Sequence, residues 1–177
     1  MPLPTKINFG LGSVAEGVKN ATFSTFLLFF YTQVAGLSGS LAGTAIALAL
    51  VVDAITDPLI GNISDNFRSK WGRRHPFMYI APLPMALCFI LLFQPPDTTA
   101  QTPLFLWMLT FAIGVRTAMT FFMIPSNSLV AELTSNYDER TSLMSFRVLS
   151  GWIGALLAIQ AGYLYFLPRL PKVWMVV

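Results

Sequence analysis

The chain has 177 residues, of which 55% are hydrophobic and 11% charged; an ordinary soluble domain carries about 25% charged residues. That deficit and a series of long apolar runs exclude a soluble globular domain and point to a polytopic membrane protein. A net charge of +3 gives no footing for a nucleic-acid partner, and the single Cys88, set in an apolar run, cannot form an internal disulfide and reads as a small core residue.

The apolar runs predict an all-α membrane protein with five spans, at about 10–34, 39–63, 77–94, 104–131 and 145–167. Each is long enough to cross a bilayer of roughly 30 Å at about 1.5 Å per residue. Strands would need period-2 alternation and closure, and the alternation is absent.

Span one opens with Gly10, Gly12 and Gly17 and carries Glu16 and Lys19, which are spaced to pair on one helix face. They read either as a structural ion pair near the helix end or as part of a substrate path. Span two carries Asp53 and Asp57 behind an uncharged stretch, Ala42–Val52. The i,i+4 spacing puts both carboxylates on one face. A carboxylate at the bilayer centre costs roughly 2.5–3.5 kcal/mol on insertion scales, so such groups turn to a protein interior. Two of them together can hold a cation or share a proton, with Thr56 and Thr120 as neutral oxygens suited to Na⁺. Asp65 follows at the end of the span and, with the basic run behind it, can tie the loop to a helix end.

Span three begins near Pro76 and contains Pro82 and Pro84; span four contains Pro125. Proline kinks membrane helices and small residues let them approach closely. Arg116 lies in the middle of span four and needs a carboxylate partner, for which Asp53 and Asp57 are both available. Lys and Arg set the orientation. Lys6 precedes span one, Arg68, Lys70, Arg73 and Arg74 follow span two, and Arg140 and Arg147 lie before and at the start of span five. The loops 35–38 and 95–103 have neither residue. The N-terminus and both basic loops are therefore expected in the cytoplasm, with Arg169 and Lys172 a mild exception. The stretch Pro168–Lys172 reads as a turn and Val173–Val177 as the start of a sixth span, the mark of a fragment or a truncated reading frame.

Gly61, Asp65, Gly72, Arg73 and Arg74 resemble the loop 2–3 signature of the major facilitator superfamily, a gating and loop-tethering motif. DAITDPLIGNISD, WGRRHP and IPSNSLVAELTSNYDERTSLMSFR are similar more narrowly to the glycoside–pentoside–hexuronide:cation symporter (melibiose permease-like) family. The resemblance covers nearly the whole chain. It implies that residues 1–177 are the N-terminal bundle of a twelve-helix protein whose C-terminal bundle is absent from this chain. It implies transport across a plasma or bacterial inner membrane, with a site between two bundles.

The resemblance matches Asp53 and Asp57 to the family's cation-site acids, and Thr120 to a hydroxyl near that site. It places Arg147 beside the sugar pocket. The two positions where galactoside carriers hold sugar-gripping acids are Gly17 and Met123 here, and a sugar-site tryptophan position is Asn127. The cation side is thus kept and the galactoside grip is not. Expected substrate contacts are Glu16, Lys19, Arg116, Asn127 and Arg147. The implied partners are a small solute, the lipid bilayer and a coupling cation, Na⁺ or H⁺, with Na⁺ at Asp53 and Asp57; no other cofactor is implied. A lysolipid symporter and a non-transporting half-length protein are the alternatives. An intramembrane enzyme is disfavoured, because His75 stands alone and neither an HExxH nor a GxSxG motif occurs.

Overall fold

A computed structural model describes residues 3–70, 74–134 and 136–166, all helical or in short connections, with no strand among them. Gly72, Arg73 and the 168–177 stretch lie outside the described residues. The helices are α1 (Leu3–Ala21), α2 (Gly39–Asn66), α3 (His75–Ile80), α4 (Pro82–Leu92), α5 (Gln101–Leu133) and α6 (Tyr137–Phe166), with π-wound segments at Thr22–Leu27 and Phe30–Val34 after α1. Two compact units form, one from residues 1–27 and 136–177 and one from 28–135.

Among the described residues four helices are long and apolar enough to cross a membrane: 39–66, 75–92 (α3 with α4), 101–130 and 137–164. The first expected span is also helical but differs in winding. From Thr22 it changes from α to π, and hydroxyls accompany the change. Thr22 donates to the Val18 carbonyl at 2.7 Å and Thr32 to the Leu28 carbonyl at 2.8 Å. Such back-bonding competes with the helix ladder. The third span is divided at Ala81, next to Pro82, whereas α2 and α5 run unbroken through Pro58 and Pro125.

The fifth span starts at Tyr137, well before the expected 145. Asn136 explains this: its side-chain oxygen accepts from the Asp138 backbone N–H at 2.9 Å, a helix N-cap. Asp138 and Glu139 then lie in the first turn, where the helix dipole favours negative charge. The apolar run alone could not show a polar extension of this kind.

In the first unit α1 packs along α6. Small residues make the approach: Gly10, Ser13, Gly17 and Ala21 are buried on α1. A Cβ on Gly17 would overlap the carbonyl of Gly151, and one on Gly154 would overlap the carbonyl of Val14. Phe26 and Tyr163 meet edge to face at 5.9 Å.

In the second unit α5 is the central element, packed by α2, α3 and α4. Its buried face includes Leu104, Met108, Val115, Met119 and Val130. The opposite faces stay open, with Ile80, Leu83, Leu87 and Ile90 exposed, as lipid-facing surfaces require. The turn before α2 depends on Gly36, whose φ of 77° is a left-handed conformation suited to glycine. Gln101 clamps that turn, accepting from the Ser38 N–H at 2.8 Å and donating to the Gly36 carbonyl at 2.9 Å. Cys88 packs on Gly114, where a Cβ would lie 2.8 Å from its sulfur.

Candidate functional site

The buried residues of α2 are Ala42, Ala45, Ala49, Ile60 and Ser64. Asp53 and Asp57 continue that stripe at helical spacing, so the carboxylates fall on the face that α2 turns toward α5. Alanine on the first half lets the helices close; carboxylates on the second half replace apolar contact with polar contact.

Arg116 on α5 is the partner of Asp53. Its Nε donates to Asp53 Oδ2 at 2.6 Å and its Nη2 approaches the same oxygen at 2.5 Å. Both side chains are largely shielded, 14% exposed for Arg116 and 19% for Asp53. The other carboxylate oxygen, Oδ1, is buried without a hydrogen-bond partner. One turn further on, Asp57 Oδ1 accepts from the Thr120 hydroxyl at 2.9 Å. Thr120 is buried, and its oxygen also lies 3.1 Å from the Arg116 carbonyl. Two i,i+4 pairs, Asp53/Asp57 and Arg116/Thr120, thus face each other across the helix contact. The sequence left the partner of Arg116 open between the two acids; the structure selects Asp53.

Thr56 lies between the two carboxylates on α2. Its hydroxyl donates to the backbone carbonyl of Asp53 at 3.3 Å, back along its own helix. Asn127 is exposed on α5, on the far side of Pro125 from Thr120.

In the first unit, Arg147 is buried. Its Nε donates to the Ser13 hydroxyl at 3.0 Å, its guanidinium lies 5.3 Å from the centre of the Phe9 ring, and it feels the charge of Glu16. Glu16 and Lys19 are half-buried on α1. Gly17 is filled on its open side by α6, so this position belongs to the helix crossing. The resemblance matches the same position to a sugar-gripping acid of galactoside carriers.

At the end of α2, Asp65 accepts from Arg74 Nη2 at 2.6 Å and Nε at 3.3 Å, an ion pair from the end of α2 to the residue before α3. Gly61 beside it is under no steric demand, since an added Cβ would make an ordinary contact with Ile124. Among the described residues no group of three His, Cys, Asp or Glu side chains gathers to hold a metal ion.

The helix pair thus carries carboxylates inside an otherwise apolar contact. Residues 8–176 match the family described as MFS/sugar transport protein. The chain belongs to that family. It is 37% identical over 160 residues to the uncharacterized symporter sll1374 of Synechocystis, covering 88% of this chain and 29% of the relative. It is 31% identical to the isoprimeverose transporter of Lactiplantibacillus pentosus, covering 88% of this chain and 32% of that protein. It is also 31% identical to the putative glycoside/cation symporter YagG of Escherichia coli, covering 88% and 34%. The chain spans about a third of the length of these relatives. Its helices make an all-α membrane protein of the major facilitator type, corresponding to the N-terminal half of that fold.

Proposed function

We propose that this chain is part of a secondary symporter that couples a monovalent cation, Na⁺ or H⁺, to the movement of a glycoside or another small organic solute. The observation that carries this reading is the pair of α2 carboxylates turned into an apolar helix contact, with Thr120 on Asp57 and one oxygen of Asp53 left without a donor. Acids in such a place need compensation, and an exchangeable cation supplies it. The names of the relatives, an isoprimeverose transporter and a glycoside/cation symporter, favour a sugar-like solute.

Galactosides are not the favoured class. A carboxylate on a sugar hydroxyl makes charge-assisted hydrogen bonds of roughly 1.5–3 kcal/mol each. Gly17 and Met123 provide no carboxylate, and α6 fills the space beside Gly17.

The test is solute uptake by the complete gene product in proteoliposomes, with Na⁺ and proton gradients imposed separately. One gradient should drive accumulation, and Asp57→Asn should abolish that drive. Equal accumulation with no ion gradient would overturn the symport reading.

A further inference from the structure

We propose that Arg116 is a tethered counter-ion: it permanently supplies the positive charge at Asp53 and thereby limits the α2 carboxylate pair to one exchangeable cation, held on the Asp57–Thr120 side. The inference deepens the symport reading and rests on it for the identity of the cation element.

The argument starts from charge. Asp53, Asp57 and Arg116 together have a formal charge of −1, so one monovalent cation neutralises the group. Without Arg116 the formal charge would be −2. The guanidinium cannot release its charge by deprotonation in a protein, and its fork converges on a single oxygen, Asp53 Oδ2. It is also covalently anchored, so it competes at Asp53 at every external ion concentration.

Displacing it would part a largely buried guanidinium from its carboxylate and cost the arriving ion the same attraction. Breaking a buried ion pair in this way is strongly unfavourable, enough to weaken an ion at Asp53 by on the order of a hundredfold. Among the described residues Asp57 has no such charged partner: it meets the neutral Thr120 hydroxyl, which gives up a hydrogen bond but no charge when an ion arrives. The unpartnered Oδ1 of Asp53 remains as an uncharged-in-sum neighbour, its negative charge already matched by Arg116.

The test is Na⁺ titration of the complete gene product in nanodiscs, read by Na⁺-dependent thermal stabilisation at constant ionic strength with choline as the replacement ion. Arg116→Gln should bind Na⁺ at least tenfold more tightly than wild type, or acquire binding where wild type has none. Adding Asp53→Asn to it should remove that gain. An unchanged half-saturation in Arg116→Gln, or a gain that survives Asp53→Asn, would overturn the proposal.

Should Arg116→Gln be too unstable to purify, the charge-balanced pair Asp53→Asn/Arg116→Gln decides by comparison with wild type. Detectable ion-driven uptake in it, lost when Asp57→Asn is added, supports Arg116 as the counter-ion. Complete loss in the pair itself would show that Asp53 ligates the ion beside Arg116, and the proposal fails. Wild-type uptake without any ion dependence would defeat the symport reading alone, because the Na⁺ gain in Arg116→Gln is read independently of transport.

Discussion

Gly17 on α1 and Gly151 on α6 meet backbone to backbone, leaving no room at Gly17 for even a Cβ. The neighbours that would clash are a carbonyl and a backbone nitrogen, neither of which can swing aside as a flexible side chain can. Gly17→Ala should therefore lower stability by about 1–3 kcal/mol, and Gly17→Asp by at least as much. Gly43 on α2 has nothing within contact range of an added Cβ. Gly43→Ala should be neutral or stabilising by up to about 1 kcal/mol, the ordinary helix-propensity gain. Thermal unfolding of the purified variants in detergent measures both, and similar shifts at the two sites would contradict the close crossing.

Asp65 and Arg74 form an ion pair of a different character from Asp53 and Arg116. The Asp65 side chain is 55% exposed, so water and salt screen it. An exposed pair contributes about 0–1 kcal/mol. Asp65→Asn should change stability by less than about 1 kcal/mol yet slow uptake, because the pair fixes the loop between α2 and α3. Unfolding and uptake measured on the same preparation check this. A large stability loss would mark the pair as structural, and unimpaired uptake would contradict a part for it in transport.

The end of α4 offers a third test. A helix leaves its last carbonyls without intrahelical donors. Two aromatic side chains contribute donors here: Tyr31 Oη donates to the Leu92 carbonyl at 2.7 Å, and Trp107 Nε1 donates at 2.8 Å to the Leu91 carbonyl, which also accepts from the Gln94 N–H at 3.1 Å. Tyr31 and Leu92 are fully buried, so no water replaces the lost bond. Tyr31→Phe should cost about 0.5–1.5 kcal/mol. Trp107→Phe should cost at least as much, since it also gives up ring area. Tyr31→Phe with unchanged unfolding would show that the Leu92 carbonyl finds another donor.

The carboxylate face could be read from the sequence because α-helical periodicity is local: Asp53 and Asp57 share a face in any α-helix. The need of Arg116 for an acid was equally legible, since charge in an apolar span requires a partner. Its choice of Asp53 depends on the register of α2 against α5, which side-chain volumes set and no local pattern displays. The same applies to Gly17. Its lack of a side chain reads as the absence of a sugar ligand until α6 is seen against it. Arg147 reads as a substrate contact, and in the structure it meets Ser13 and Phe9 of α1. The π winding after Ala21 had a faint sequence signal in the hydroxyls of Thr22, Ser24 and Thr32. The early start of α6 had a clearer one, Asn136 followed by two acids.

Thr120 has one hydroxyl hydrogen and two acceptors within reach, Asp57 Oδ1 at 2.9 Å and the Arg116 carbonyl at 3.1 Å. With the hydrogen on Asp57, the hydroxyl is a donor to the carboxylate. With the hydrogen on the carbonyl, its lone pairs turn toward Asp57, the orientation needed beside a carboxylate-bound cation. Rotation between the two costs little, because each acceptor replaces the other. Thr120→Val keeps the shape but removes both options. A hydrogen bond or ligand contact to a charged group contributes about 1.5–3 kcal/mol, which at 1.4 kcal/mol per decade is roughly ten- to a hundredfold in cation affinity. Thr120→Val should raise the cation half-saturation of uptake by that factor, while Thr120→Ser, which keeps the hydroxyl, should stay close to wild type. Uptake at varied cation concentration in proteoliposomes, with stability measured alongside, checks the pair of variants. A Thr120→Val protein with wild-type half-saturation would place the cation away from Thr120.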